Sequence, residues 1–325
     1  MKTLILSAVL LLLAAVSLTL GVADISLLDA ARDAWAGEQS AARSIAFDVR
    51  LPRTLLALIV GAGLGMAGAA MQGLLRNPLA EPGVLGVSSG AALGAVITLY
   101  FGLAAWGWGV LPVAAMLGSL IALLAIYGLA GKSKSLLVLI LAGVALNALF
   151  GALTAVALNF AKNLFALQEI IFWLMGSLAN RSNDHLLVAA PTIAMGMLLM
   201  WHRRAYLDAL TLGDDTASSL GFNGNRERIL ILLGIALAVG GGVAVSGAIG
   251  FIGLMVPHLL RRWADYQPGK LLMLSALGGA LLLLGADLLV RHLDLVRELK
   301  LGVVTSLLGA PFFIYLLMKS KRQFL

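Results

Sequence analysis

Apolar runs of membrane-spanning length follow one another along almost the whole chain, and this restricts the fold more than any other feature. They occupy about 3–22, 50–74, 86–103, 110–130, 136–160, 186–202, 229–248, 250–264, 270–290 and 301–318. A helix needs roughly 20 apolar residues to cross the hydrocarbon core of a bilayer. With 61% of its 325 residues hydrophobic and 12% charged, the chain must build helices apolar on every side, which water does not tolerate. The reading is an all-α polytopic membrane protein of about ten transmembrane helices, forming one membrane domain over 1–325. No G-X-Y period, polar majority or cysteine is present, which excludes collagen, intrinsic disorder and a disulfide-stapled module. The apolar stretch after Lys2 is longer than a usual signal-peptide core and more spans follow, so it reads as a first membrane helix.

The eighth run is short and continues from the seventh through GAIGFIG at 247–253, a glycine-rich join that predicts a bend. EIIFWLMGSL at 169–178 reads as a short surface helix at the outer face. Orientation follows from charge. With the N-terminus inside, the inner face carries Lys2, Arg76, Lys132, Lys134, Arg203, Arg204, Arg226, Arg228, Arg261, Arg262, Lys270, Lys319, Lys321 and Arg322, the larger part of the 23 basic residues. Cytoplasmic flanks are enriched in Lys and Arg, so both termini are expected in the cytoplasm. The formal charge of +7 needs no nucleic acid to explain it.

Residues 60–78 match 239–257 at Val60/Val239, Gly61/Gly240, Gly63/Gly242, Gly68/Gly247, Ala69/Ala248, Leu75/Leu254 and Pro78/Pro257. The two segments begin spans two and seven, so an odd number of spans separates them and the halves are expected to be inverted in the membrane. Inverted repeats about a central pathway are a transporter device. In the second span Gly61, Gly65, Ala69 and Gly73 recur every four residues, a bare face for close helix packing.

Polar groups are few and placed at span ends. LLRNPLAEPGVLGVSSG at 74–90 breaks the second span with two prolines, Asn77 and Glu81. Irregular backbone at membrane depth survives only when buried in protein or facing water, so Asn77 and Leu79 are candidates for a gate or pathway floor. Arg50 and Arg53 at the mouth of the second span, with Arg291 at the end of the ninth, offer a basic docking surface for an acidic partner. Asp287, one turn before Arg291, is positioned to pair with it. The longest hydrophilic stretch, 206–228, is expected to hold a capped helix from Thr211 to Gly221 with Asp214 and Asp215 near its start. Its apolar residues, Leu210, Leu212, Ala217 and Leu220, point to a packed or docked element. GLAGKS at 128–133 lacks the glycine that a phosphate-binding loop needs at Ile126. His185, His202, His258 and His292 lie far apart, and Asn147, Glu169 and Asp287 make no acidic relay, which disfavours an ion-driven carrier. No catalytic constellation is present, and no cofactor or metal is expected.

RLPRTLLALIVGAGLGMAGAAMQGLLRNPLAEPGVLGVSSGAALG at 50–94 closely resembles the FecCD family of ABC-transporter permeases, which import iron-siderophores, haem and vitamin B12. The likeness continues through LAGVALN at 141–147, FWLMGSL at 172–178, LTLGDDTASSLG at 210–221, SGAIGFIGLMVPHLLR at 246–261 and GVVTSLLGAPFFIYLL at 302–317. The resemblance implies an importer subunit in a bacterial inner membrane, a homodimer with its pathway on the two-fold axis and its apolar surface in lipid. It implies two cytosolic ATP-binding subunits that hydrolyse ATP, and a periplasmic substrate-binding protein. By motif match Arg50, Arg53 and Arg291 meet the binding protein, and Asn77 and Leu79 lie in a cytoplasmic gate. The segment Leu212, Gly213, Asp214, Asp215, Ala217, Leu220 and Gly221 contacts the ATPase. A second gate in the vitamin B12 importer carries small hydroxyl residues where this chain reads Ser135, Leu136 and Leu137. The expected cargo is an iron chelate, with vitamin B12 as the alternative.

Overall fold

The computed structural model describes residues 2–21, 23–130, 136–161, 163–293 and 298–321, and its regular structure is helical throughout. The first apolar run is α1 (Lys2–Thr19). Two short helices, α2 (Leu27–Ala36) and α3 (Ala41–Ser44), each start at a serine whose hydroxyl accepts a backbone N–H, from Asp29 and Arg43 respectively. A π-helical turn over Ile45–Arg50 leads from α3 into α4 (Leu51–Leu74), so the second span enters as one continuous helical path from Ala41. α5 (Val87–Tyr100) and α6 (Val110–Ala130) follow, then α7 (Leu136–Asn159) and the short α8 (Leu164–Leu174), which starts five residues before the expected 169–178 and ends four residues before it. α9 (Asn183–His202) descends to two small helices, α10 (Arg204–Leu210) and α11 (Asp214–Ser219). The chain returns through α12 (Gly224–Ser246), α13 (Ile252–Leu260), α14 (Pro268–His292) and α15 (Leu301–Lys321). Lys132, Lys134 and Arg322, expected at the inner face, and the gate position Ser135 lie outside the described residues.

All ten predicted runs contain helix, and among the described residues seven helices are long and apolar enough to cross a membrane. The eighth run differs: α13 has nine residues and extends about 14 Å, less than half of a hydrocarbon core of about 30 Å. Its partner in crossing the membrane is the irregular stretch 247–251. There Gly247 at φ +69° ends α12 and Phe251 at φ +68° starts α13. Protein groups meet the backbone at the two ends of this stretch. Ser246 carbonyl accepts from Ser177 N–H at 2.7 Å, Ser246 Oγ donates to the Gly242 carbonyl at 2.9 Å, and Phe251 N–H donates to Glu81 Oε1 at 3.1 Å. Such internal satisfaction is the condition for a broken helix at membrane depth.

α4 and α12 form the centre: 78% of the most apolar window of each is buried, against 6% for α1 at the lipid-facing rim. The bare face of α4 does the close packing. A Cβ on Gly61 would overlap the Gly279 carbonyl oxygen, one on Gly65 that of Ser275, and one on Gly68 that of Gly253. As the number rises along α4 it falls along α14, so the two helices are antiparallel. The same reading relates α4 to α12: a Cβ on Gly63 would sit 3.7 Å from Ala238, and one on Gly242 would sit 3.3 Å from Val60. The two repeat segments thus run in opposite directions, as an inverted repeat requires. Residue-by-residue equivalence fails at four of the seven pairs: Gly68 and Ala69 lie inside α4 whereas Gly247 and Ala248 lie past the end of α12, and Leu75 and Pro78 lie in the loop after α4 whereas Leu254 and Pro257 lie inside α13.

Both described chain ends reach the same end of the bundle. Lys2 Nζ donates to the Trp263 carbonyl at 2.9 Å and pairs with Asp265 at 3.5 Å. α15 starts beside Met175 and Gly176, whose carbonyls accept from Gly302 and Leu301 N–H, and runs back past His258 with Phe312 and Phe313. Arg76, Arg203, Arg228, Arg261 and Lys270 gather at this end, in ion pairs or hydrogen bonds to Asp214, Glu227, Gln72 and Asp265.

Gly65→Ala and Gly68→Ala place a methyl group on a backbone oxygen that cannot move aside, whereas a Cβ on Gly128 meets nothing within 4 Å. The two α4 variants should lose most of their monodisperse yield in mild detergent while Gly128→Ala keeps it. Equal yields for the three would remove the close α4 packing from the account.

Candidate functional sites at the two ends of the bundle

At the end that carries Lys2, the helix expected over Thr211–Gly221 is shortened to α11, and a further small helix, α10, precedes it. Gly213, at φ +109°, cannot be helical, and Thr211 turns back so that its Oγ1 donates to the Asp208 carbonyl at 2.7 Å. α11 therefore spans six residues and starts at Asp214; Gly221 at φ +89° closes the turn after it. Ala217 and Leu210 are buried, and Tyr206 packs edge-on against Phe222. Leu212 and Leu220 are exposed to 68% and 61%, flanking an acidic helix start with two apolar side chains. The two aspartates differ: Asp215 is exposed, whereas Asp214 accepts from Arg76 at 3.4 Å and from Arg228.

Arg76 belongs to the loop that breaks α4, where it takes φ +49°. Next to it Asn77 N–H donates to the Gln72 carbonyl at 3.1 Å and Asn77 Oδ1 accepts from Leu79 N–H at 2.9 Å, which makes a tight turn with Asn77 and Leu79 exposed at its tip. Glu81 then turns inward to the Phe251 N–H. The loop is held at two points, by Arg76 to α11 and by Glu81 to the start of α13. Sequence reading placed Glu81 in the break but missed this second anchor; a carboxylate between two prolines was the available signal.

A groove of about 530 Å³ opens behind this loop, walled by Glu81, Ser88 and Ser89, by Asn147, Gly151 and Thr154 of α7, and by 248–250 at the α12–α13 break. It has small and hydroxyl side chains and a single carboxylate. Of the second-gate positions, Leu136 opens α7 and Leu137 is 65% exposed.

At the opposite end the three expected arginines come together around a pocket of about 370 Å³. Each guanidinium also has partners within the chain. Arg50 is buried and donates to the Leu18, Thr19 and Ala23 carbonyls, which caps the C-terminus of α1. Arg53 pairs with Asp287 at 2.8 Å and with Glu298. Arg291 pairs with Asp287 at 2.5 Å, the expected one-turn pair, and donates to the Ser17 carbonyl at 3.1 Å. A fully buried Asp287 thus joins two arginines from different helices. Among the described residues no group of His, Cys, Asp and Glu could hold a metal ion; His185 serves as the capping partner of Ser182.

This arrangement has known counterparts. Residues 9–319 match the FecCD transport family. The chain belongs to that family. It is 42% identical to the hemin transport system permease protein HmuU of Yersinia pestis over 326 aligned positions, covering 96% of this chain and 95% of that one. It is 44% identical to the vitamin B12 import system permease protein BtuC of Vibrio cholerae, over 88% of this chain and 86% of the other. An iron(3+)-hydroxamate import system permease protein, FhuG of Bacillus subtilis, is 36% identical, covering 94% of this chain and 93% of that protein. A solved metal-chelate type ABC transporter in an inward-facing conformation superposes with a TM-score of 0.87 at 32% identity, covering 98% of both chains. The chain is therefore a multi-pass ABC-importer permease, a transport subunit of a machine that also comprises ATP-binding and substrate-binding components.

Asp287→Asn would leave Arg53 and Arg291 close together in a buried site without their shared counter-charge. Removing one partner of a buried ion pair costs about 3–5 kcal/mol. The variant should show a clearly lower thermal midpoint in detergent; an unchanged midpoint would mean that the cluster contributes little to the α4–α14 junction.

Proposed function

We propose that this chain forms the pathway by which an iron chelate, a siderophore or haem, passes from a periplasmic binding protein to the cytoplasm by alternating access. The observation that carries the proposal is the end-to-end likeness to a metal-chelate transporter, 98% of each chain at a TM-score of 0.87. The hemin and hydroxamate permeases, similar over nearly the full length, support the same cargo class. The groove behind the 75–81 loop, with little charge and small side chains, suits a large chelate that is passed on and not held. A vitamin B12 cargo is the second reading, favoured by the 44% identity to a B12 permease.

In this reading the working unit is a homodimer embedded in lipid, with two cytosolic subunits that bind and hydrolyse ATP; the permease itself carries no cofactor. The ATPase docks on α11, where Leu212 and Leu220 insert into an apolar groove and Asp215 meets a basic rim. This end is then cytoplasmic, and so are both termini. Asp214 acts one step further in: through Arg76 it transmits movement of α11 to the gate tip at Asn77 and Leu79, while Leu137, with its neighbours Ser135 and Leu136, lines a second constriction. The binding protein docks over Arg50, Arg53 and Arg291, where three guanidinium groups outnumber the carboxylates of Asp287 and Glu298. Complementary charge of this kind mainly governs encounter rate and register.

Uptake of radiolabelled ferric siderophores, haem and cobalamin by a deletion strain and its complemented parent tests the cargo. Loss of an iron compound alone is expected; loss of cobalamin alone would transfer the proposal to B12. Two variants test coupling. Leu212→Glu with Leu220→Glu should remove the ATPase from the purified complex. Asp214→Asn should leave it bound while lowering uptake per ATP hydrolysed by about 2- to 30-fold, the range in which coupling residues act, and exchanging Arg76 and Asp214 should recover part of the loss. An Asp214→Asn complex with normal coupling would detach the gate loop from α11.

A further inference from the structure

The break after α4 and the turn between α13 and α14 wall a second cavity at the end of the bundle that carries Lys2. Its volume is about 230 Å³, and it shares no lining residue with the groove behind the 75–81 loop. Arg76 and Arg261 line it with Gln72, Thr211 and Tyr266, and Pro268 and Leu271 supply its apolar part. No carboxylate is among the described residues that wall it.

Both guanidinium groups keep donors for an occupant. Arg261 gives Nη2 to Gln72 Oε1 at 2.7 Å and makes no ion pair with any described residue; its remaining N–H groups are not buried. The Gln72 side chain is buried, and its Nε2 donates to the Leu254 carbonyl at 3.2 Å. Arg261 is thereby held in position by a fixed amide. Arg76 meets Asp214 through Nη2, and 43% of its side chain stays accessible. The carboxylates around the cavity are already engaged. Asp214 also pairs with Arg228, Asp265 is shared by Lys2 and Lys270, and Asp208 accepts from Gly269 N–H at 2.7 Å. Asp265 and Tyr266 take φ +52° and +61° in succession, a backbone that side-chain-bearing residues seldom adopt and that recurs at ligand sites.

Two arginines that share no counter-charge favour an anion with oxygens on several sides. A carboxylate offers two oxygens in one plane, which a single guanidinium satisfies. Tetrahedral phosphate gives separate oxygens to two guanidinium groups and to a hydroxyl. We propose that this cavity binds a phosphate group, with Arg261 and Arg76 as its charged donors and the Tyr266 hydroxyl as its neutral one. The group belongs either to free phosphate or to the headgroup of an anionic lipid.

Equilibrium dialysis of the full-length chain in detergent against radiolabelled inorganic phosphate tests the free anion. Native mass spectrometry from nanodiscs holding equal phosphatidylglycerol and phosphatidylcholine tests the lipid. Saturable phosphate binding that chloride at matched ionic strength does not displace identifies free phosphate. Retention of phosphatidylglycerol over phosphatidylcholine, without phosphate binding, identifies the headgroup. In either arm Arg261→Gln should weaken retention about 10- to 100-fold by removing charge-assisted hydrogen bonds. Arg76→Gln should weaken it less, because Arg76 is shared with Asp214. The assignment is overturned if neither ligand is retained, if Arg261→Gln retains it as well as the wild-type chain does, or if acetate displaces phosphate at equal concentration. Should Arg261→Gln fail to fold, Arg76→Gln decides in its place, and undiminished retention there overturns the assignment.

Discussion

Close approach of backbone to backbone along α4 is the contact on which the rest of the architecture depends. In a bilayer the lipid tails are as apolar as the helices, so burial of apolar surface gives helices little reason to associate. What remains is dispersion, and dispersion needs contact. Glycines at 61, 65 and 68 bring α4 against the carbonyls of α14 and α13, with no side chain between. α13 is too short to cross a membrane by itself, and this contact is what seats it beside α4. With α13 seated, the break at 247–251 is held at both ends, by Ser177 N–H on the Ser246 carbonyl and by Glu81 on the Phe251 N–H, while 248–250 wall the groove. The loop that breaks α4 inherits its inner anchor from the same contact.

The two ends of the bundle use charge in different ways. At the α11 end the pairs are partly exposed: Asp214, Arg76 and Asp265 keep roughly half of their side-chain surface. Exposed pairs of this kind contribute about 0–1 kcal/mol. At the other end Asp287 is fully buried between Arg53 and Arg291. A buried network is costly to break, so this end is built to hold α1, α4 and α14 together. The capping of α1 by Arg50 serves the same purpose.

Most of the helices were legible in the sequence because lipid imposes one rule on every span: enough apolar residues in a row, with interruptions at the ends. The bend at 247–253, the bare face of α4 and the Asp287–Arg291 pair followed from composition and spacing. The helix at 211–221 was drawn too long, since a lone Gly213 does not announce φ +109° and its two neighbouring aspartates look alike in sequence. Only the fold separates them, turning Asp214 toward Arg76 and Arg228 and leaving Asp215 in solvent.

The sequence by itself determined that the chain is an all-helical membrane protein, which segments are apolar helices, that two of its parts repeat, and to which family it belongs. These are local properties, or properties of matched strings, and hydropathy or likeness reads them directly. The tertiary structure decided what each polar residue faces. Arg50 turned to the carbonyls of α1, Arg53 to residues 234 and 245 positions away, and Glu81 to a backbone N–H 170 positions away, whereas Arg181 found no partner among the described residues. Partners so distant along the chain leave no trace in local spacing. They exist because helices whose polar groups water cannot reach must satisfy them on one another.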